Sequence, residues 1–202
     1  MDKETKSKFI SVDILEQFDK MQQYFSQYDD LRENMIKLSR DVLKLSKQII
    51  YNVQSKKLSN IDDKIARIKE IHKNMIELSE KNKFLLNEGS FNIAEQELVE
   101  ALLFKSLIVD QKLLTSDELN VKNENYVTGL ADLSGELVRI AVISATEQNY
   151  DLVHHIKDFI DEIYYLLLNL NLRSSEFRRK FDSVKYALKK LDEICYDISR
   201  QR

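Results

Sequence analysis

No proline interrupts this 202-residue chain, and its only glycines are the three at Gly89, Gly129 and Gly135. Proline and glycine punctuate strands, hairpins and loops, so a chain this poor in both reads as long helices joined by short turns. With 43% hydrophobic residues it is large enough to bury one sizeable core, and a single domain spanning residues 1–202 is the natural expectation. The lone Cys195 excludes an internal disulfide and fits a reducing compartment. It falls at an apolar periodic position, where a small buried hydrophobe is expected. The first residues, MDKETKSKF, carry no apolar signal stretch, and the longest apolar run, Ile163 to Leu168, is too short to span a bilayer. A cytoplasmic protein without a membrane partner is expected.

The first segment shows a heptad pattern. Ile14, Met21, Tyr28, Met35, Val42 and Ile49 recur every seven residues, Phe18 and Phe25 fill the second seam position, and Leu31, Leu38 and Leu45 follow half a heptad later. This predicts one long N-terminal helix, or two collinear ones, running about 50 Å or more at 1.5 Å per residue. A small monomeric bundle does not need that length, so packing against other subunits is expected. After a break at residues 55–60, a second helix runs to about Asn87, with Ser59 and Asp62 arranged much like a capping box. The third, about Phe91 to Lys112, and the fifth, about Tyr126 to Glu147, are apolar nearly all round and predict buried helices. Between them Thr115 to Glu118 opens a short fourth helix, and residues 120–125 form a loop. Gly135 inside the fifth helix predicts a close helix crossing there. Helices at about Tyr150 to Leu170 and Ser174 to Ser199 complete an all-α chain.

Four acids stand out in the two apolar helices. Glu97 and Glu100 are three apart on one, Asp132 and Glu136 four apart on the other, so each pair shares a face. Ionised carboxylates in an apolar interior are costly unless paired or bound to a metal. A divalent cation resolves the mutual repulsion of four, and all-oxygen ligation suits Mg²⁺ or Mn²⁺. The bland alternative is a solvated acidic face, with Glu136 simply paired to Arg139 at i+3. A di-iron carboxylate bundle requires two Glu-x-x-His motifs. Position 103 is a leucine, and His72, His154 and His155 read as surface or capping histidines. No phosphate-cradling glycine loop is present.

Lys37, Arg40, Lys44 and Lys47 step by three, four and three, which places them in one stripe across the first helix from its apolar seam. The last helix adds Arg178, Arg179, Lys180, Lys185, Lys189 and Lys190, with Arg173, Arg200 and Arg202 at its margins. A short stripe of one sign is commonly a solvated face, but it is also the footprint of phosphate-backbone binding. Beside an acidic metal site it would supply the second half of a nucleic-acid hydrolase.

At these residues the chain resembles the translin family, which includes translin and translin-associated factor X. KLSRD at Lys37 to Asp41 with Ser46-Lys47, QELVEA at Gln96 to Ala101, SDELN at Ser116 to Asn120 and GLADLSGELVR at Gly129 to Arg139 resemble factor X. FDSVKYALKKLDEICYDIS, from Phe181 to Ser199, is closer to translin. The resemblance implies a seven-helix fold that assembles into large closed oligomers, such as hexamers or octamers, binding RNA or single-stranded DNA. In the factor X branch, acidic residues inside the shell bind a divalent metal and cleave single-stranded RNA, whereas translin lacks that acidic set. Carried over by position, the acids are Glu97, Glu100, Asp132 and Glu136, and Arg40 and Lys47 fall in the matching basic block. The short loop at 120–125 resembles compact archaeal members, which assemble from one chain type.

The sequence therefore predicts a seven-helix, translin-like endoribonuclease specific for single-stranded RNA and dependent on Mg²⁺ or Mn²⁺, working as a homo-oligomer. In it Glu97, Glu100, Asp132 and Glu136 hold the metal and carry catalysis, and Lys37, Arg40, Lys44 and Lys47 position the RNA. The alternative is a non-catalytic single-stranded nucleic-acid-binding shell.

Overall fold

The computed structural model describes residues 10–170 and 174–200. MDKETKSKF, Arg173 and Arg202 lie outside the described residues. The described chain comprises α1 (Val12–Gln54), α2 (Ile61–Lys81), α3 (Gly89–Asp110), α4 (Ser116–Leu119), α5 (Asn123–Thr146), α6 (Tyr150–Leu168) and α7 (Ser175–Arg200), with one 3₁₀ turn at Lys83–Asn87. Seven α-helices without a strand among the described residues is the architecture that the scarcity of proline and glycine predicts. No helix among these residues is long and apolar enough to cross a membrane.

Helices α1, α3, α5 and α7 pack side by side in that order, with α2 laid along α1, and α6 against α5 and α7. The long first helix is a single element, capped by the Ser11 hydroxyl, which accepts the Ile14 N–H at 3.4 Å. It has two halves. From Met35 onward, Met35, Ser39, Val42, Ser46, Ile49 and Val53 step by four and three into the core. Before that point the seam faces solvent, with Phe18 64% and Phe25 60% exposed in the single chain. The Arg32 Nε donates to Glu88 Oε2 at 3.2 Å and the Tyr28 hydroxyl donates to Oε1 of the same carboxylate. This clamp to the start of α3 marks where α1 joins the body.

Several local expectations change. The second helix is not capped by Ser59. The chain reverses through left-handed Lys56 and Asn60, which leaves Asn60 as an N-cap without a side-chain bond. The capping box sits instead at the fourth helix, where Thr115 and Glu118 bond reciprocally. The second helix ends at Lys81 rather than about Asn87, and Gly89 and Ser90 belong to the next helix. They begin α3, and the preceding residues 83–87 tighten into the 3₁₀ turn. His72 is a core residue rather than a surface or capping one: it is 5% exposed, and its Nε2 lies 2.8 Å from Glu95 Oε1. The other Glu95 oxygen accepts the Lys122 backbone N–H at 3.1 Å and the Asn125 side-chain N–H at 2.7 Å. One buried carboxylate thus ties α2 to α3 and captures the first turn of α5, as its helix N-terminus favours. Cys195 packs against the core but is half-buried rather than buried, with its Sγ 3.6 Å from His154 Nδ1.

The close crossing of α3 and α5 falls at Gly129, not Gly135. A Cβ on Gly129 would stand 2.7 Å from the Gln96 carbonyl oxygen and 2.7 Å from the Val99 Cβ, whereas nothing lies within 4 Å of one at Gly135. Gly129→Ala is expected to destabilise the fold by about 1–3 kcal/mol through overpacking. Gly135→Ala should stabilise it by about 0.5–1 kcal/mol, because that helical glycine meets no neighbour. Denaturant unfolding midpoints of the two variants check this, and shifts of the same sign would refute the assignment of the crossing.

Candidate metal centre and its basic flank

The crossing at Gly129 determines what happens next to it. Glu97 and Glu100 flank the contact turn of α3 at Gln96 and Val99, and Asp132 lies three residues beyond the glycine on α5. Glu136 follows one turn later. All four side chains are partly buried, with Asp132 at 29% and Glu136 at 23% exposure. They are near enough for their charges to act on one another. Burial, followed by the charges of Asp132, Glu97 and Glu136, pushes the Glu100 carboxyl up to about 8, with Lys180 opposing. Glu97 is also raised, by burial first, with Lys47 working against the shift. Glu100 therefore keeps its proton at neutral pH in the metal-free protein.

The cations around the acids are unevenly shared. Lys180, from α7, donates to Asp132 Oδ2. On Glu136, Oε2 accepts from the Gln54 side-chain amide at the end of α1 and lies 3.6 Å from Arg139 Nη1. The i+3 pairing of Glu136 with Arg139 is thus present, but it is only part of the arrangement. Neither Glu97 nor Glu100 receives a hydrogen bond among the described residues. Among these residues no three His, Cys, Asp or Glu side chains stand at cation-holding spacing, and Asp132 and Glu136 are bonded to Lys180 and Gln54. The donor set still fits a hard divalent cation. It consists entirely of carboxylate oxygens, and two of the four carboxyls lack any donor.

A cavity of about 310 Å³ opens over three of the four acids, lined by Lys47, Gln54, Glu97, Glu100, Glu136 and Arg139 among others but not by Asp132. Of the predicted basic stripe, Lys47 reaches the cavity. Lys37, Arg40 and Lys44 are exposed on the preceding turns of α1, and Lys37 lines a separate groove with Glu77 and Lys81 of α2. The structure thus joins one end of the stripe to the acids and leads the rest away along α1.

The roles of Lys180, Gln54 and Tyr51, which also lines the cavity, are not evident from the sequence. Lys180 is one of many basic residues on α7, and only the packing of α7 against α5 singles it out. Gln54 and Tyr51 continue the stripe of Lys44 and Lys47 at helical spacing, so extending that stripe to polar and aromatic residues as well as charges reaches them.

The fold is shared with known proteins. The chain is 30% identical over 171 residues to an uncharacterized protein of Methanocaldococcus jannaschii, covering 83% of this chain and 76% of that one. It is 26% identical over 203 residues to the translin-associated protein X homolog of Schizosaccharomyces pombe, covering 90% of this chain and 86% of the relative. Among solved structures, AfC3PO superposes with a TM-score of 0.82 at 20% identity, over 92% of this chain and 98% of that one. A complex of AfC3PO with duplex RNA superposes at 0.74 with 22% identity and the same coverage. The Translin family description matches residues 30–201, and the chain belongs to that family.

Proposed function

We propose that this protein is a divalent-metal-dependent endoribonuclease that cleaves single-stranded RNA, and also binds single-stranded DNA, inside a closed homo-oligomer. The observation that carries this reading is the pair Glu97 and Glu100, partly buried without a hydrogen-bond donor beside two further acids. Membership of the translin family supports it. So does the likeness to a translin-associated protein X homolog, and the duplex-RNA complex of AfC3PO supports the RNA-binding part of the reading.

Glu97, Glu100, Asp132 and Glu136 would hold Mg²⁺ or Mn²⁺. When bound, the cation polarises a phosphoryl oxygen and makes a water more acidic at neutral pH. The protein's own contributions follow from the geometry. Glu100 releases its proton on loading, as a ligand must. To serve as a ligand Asp132 would have to give up its bond from Lys180, and that ammonium would then be available to a phosphate. Lys37, Arg40, Lys44 and Lys47 align the phosphate backbone along α1 towards the cavity. The exposed apolar half of α1, including Phe18 and Phe25, supplies surface for subunit contacts.

The second reading is a nucleic-acid-binding shell without catalysis. It is favoured by the fact that Asp132 and Glu136 are already partnered by Lys180, Gln54 and Arg139. Labelled single-stranded RNA separates the two. Cleavage is expected with Mg²⁺ or Mn²⁺, none in EDTA, and a loss of at least about 100-fold in Glu100→Gln with RNA binding retained. Cleavage that persists in EDTA, or that ignores the substitution, would refute the metal-dependent mechanism. Retention of RNA without any products would favour the shell.

The basic stripe makes its own prediction. Replacing Lys44 and Lys47 by alanine should weaken single-stranded RNA binding and flatten its log–log salt dependence by about 0.7 for each phosphate that is no longer neutralised. An unchanged slope in a salt titration would remove α1 from the nucleic-acid path.

Glu100 links loading to stability. Its carboxyl is raised in the folded state, so the folded protein holds a proton that the unfolded chain releases above its ordinary value of 4.5. That contribution is complete below the unfolded value and is lost as pH rises through about 8, at up to about 1.4 kcal/mol per pH unit. In EDTA the stability of Glu100→Gln relative to wild type should therefore grow between about pH 5 and about pH 8 and then level off. Saturating Mn²⁺ should stabilise wild type at the upper end. Paired unfolding titrations check this, and a difference that stays flat with pH would show that Glu100 is not desolvated.

A further inference from the structure

We propose that Tyr51 is a stacking platform for one unpaired nucleobase at the mouth of the acid cavity, and so selects single strands over duplex. This rests on the nucleic-acid reading above, and adds a residue that neither the acidic set nor the basic stripe includes.

Tyr51 lies four residues beyond Lys47 and seven beyond Lys44, so it continues their stripe on the same face of α1. It lines the cavity that holds Glu97, Glu100 and Glu136, and it is the aromatic residue there. Its side chain is 60% exposed. Among the described residues it pairs with no other ring, and its hydroxyl has no hydrogen-bond partner.

The backbone beneath it is fixed. The Tyr51 carbonyl accepts the Ser55 N–H at 2.9 Å and the Ser55 hydroxyl at 2.7 Å, closing the last turn of α1. A large, open ring is therefore presented on a firm turn, about 6 Å along the helix from a lysine suited to a phosphate.

Stacking on aromatic rings is the sequence-tolerant way to hold an unpaired base, because every base has a π-face. A base inside a duplex already has both faces covered. The ring therefore discriminates strandedness, whereas the lysines attract any phosphate backbone. Arg139 also lines the cavity, where its guanidinium lies 3.6 Å from Glu136 Oε2. Tyr165, Tyr186 and Tyr196 are as exposed, but they lie on α6 and α7 and do not line this cavity.

Binding of a fluorescein-labelled single-stranded RNA to the full-length protein in EDTA, followed by anisotropy, tests the assignment separately from catalysis. Tyr51→Ala should weaken single-strand affinity by about 5- to 100-fold, and Tyr51→Phe should stay within about twofold of wild type, since the ring and not the hydroxyl does the holding. Affinity for a blunt duplex of the same length should be unchanged in both. An alanine variant that binds the single strand like wild type, or that loses single strand and duplex equally, overturns the proposal. So does a wild type that binds no single-stranded RNA. A wild type that binds with the expected Tyr51 dependence but cleaves nothing on adding Mn²⁺ leaves this inference standing and defeats the nuclease reading alone.

Discussion

The contact between Gly129 and the Gln96–Val99 turn of α3 is the constraint on which the rest of the site depends. With the backbone of α5 this close to α3, the residues next along each helix have to face one another. On α3 these are Glu97 and Glu100, and on α5 they are Asp132 and then Glu136. A bulkier residue at 129 would push the helices apart and separate the carboxylates. The crossing is held in register from its other side by Glu95, which bonds His72 on α2 and captures the start of α5 through Lys122 and Asn125. The same helix thus carries one acid that is fully satisfied in the core and, within the next two turns, two acids without donors. The first fixes the geometry, and the other two have no hydrogen-bond donor among the described residues.

Concentrating carboxylates here costs stability, and the neighbouring elements limit the cost without removing it. Lys180 offsets Asp132, while Gln54 and Arg139 offset Glu136. Nothing comparable meets Glu100, which answers by keeping its proton. A site designed only for stability would carry an apolar residue at position 100, since both flanking helices are apolar nearly all round. Local conflict of this kind, in segments whose other residues agree with the fold, is what functional or strained sites produce.

Much of this is legible in the sequence, and what is not has a common cause. Helix number and approximate bounds follow from the near-absence of proline and glycine and from the three-and-four spacing of apolar residues. The acids follow from their rarity in apolar segments. Both are local signals. Gly135 and Gly129 look alike locally, since each sits inside an apolar helix, and only the partner helix distinguishes them. Glu95 is hidden because its sequence neighbours Glu97 and Glu100 are also acids, although it alone falls on the core stripe with Phe91, Ala94 and Leu98. His72 gives a misleading signal because a lone histidine is ordinarily exposed, and its partner lies 23 residues away. Ser59 has the composition of a cap, but the left-handed turn at Asn60 is set by the packing of α2 along α1.

The length of α1 has a consequence for how assembly and chemistry relate. Its exposed apolar flank spans Ile14 to Phe25, whereas Lys47, Tyr51 and Gln54 reach the acid cavity near its other end. These regions are separated by the clamp of Tyr28 and Arg32 on Glu88 and by roughly 30 Å or more of continuous helix. A partner covering the flank therefore has no need to occlude the cavity, and a change in one region does not alter the side chains of the other. A rigid helix nevertheless transmits orientation. Wherever partners hold the N-terminal half of α1, the basic stripe and the cavity mouth are carried into a fixed relation with the same assembly. Covering the apolar flank thus satisfies a hydrophobic requirement, and it also determines where the basic face of α1 points.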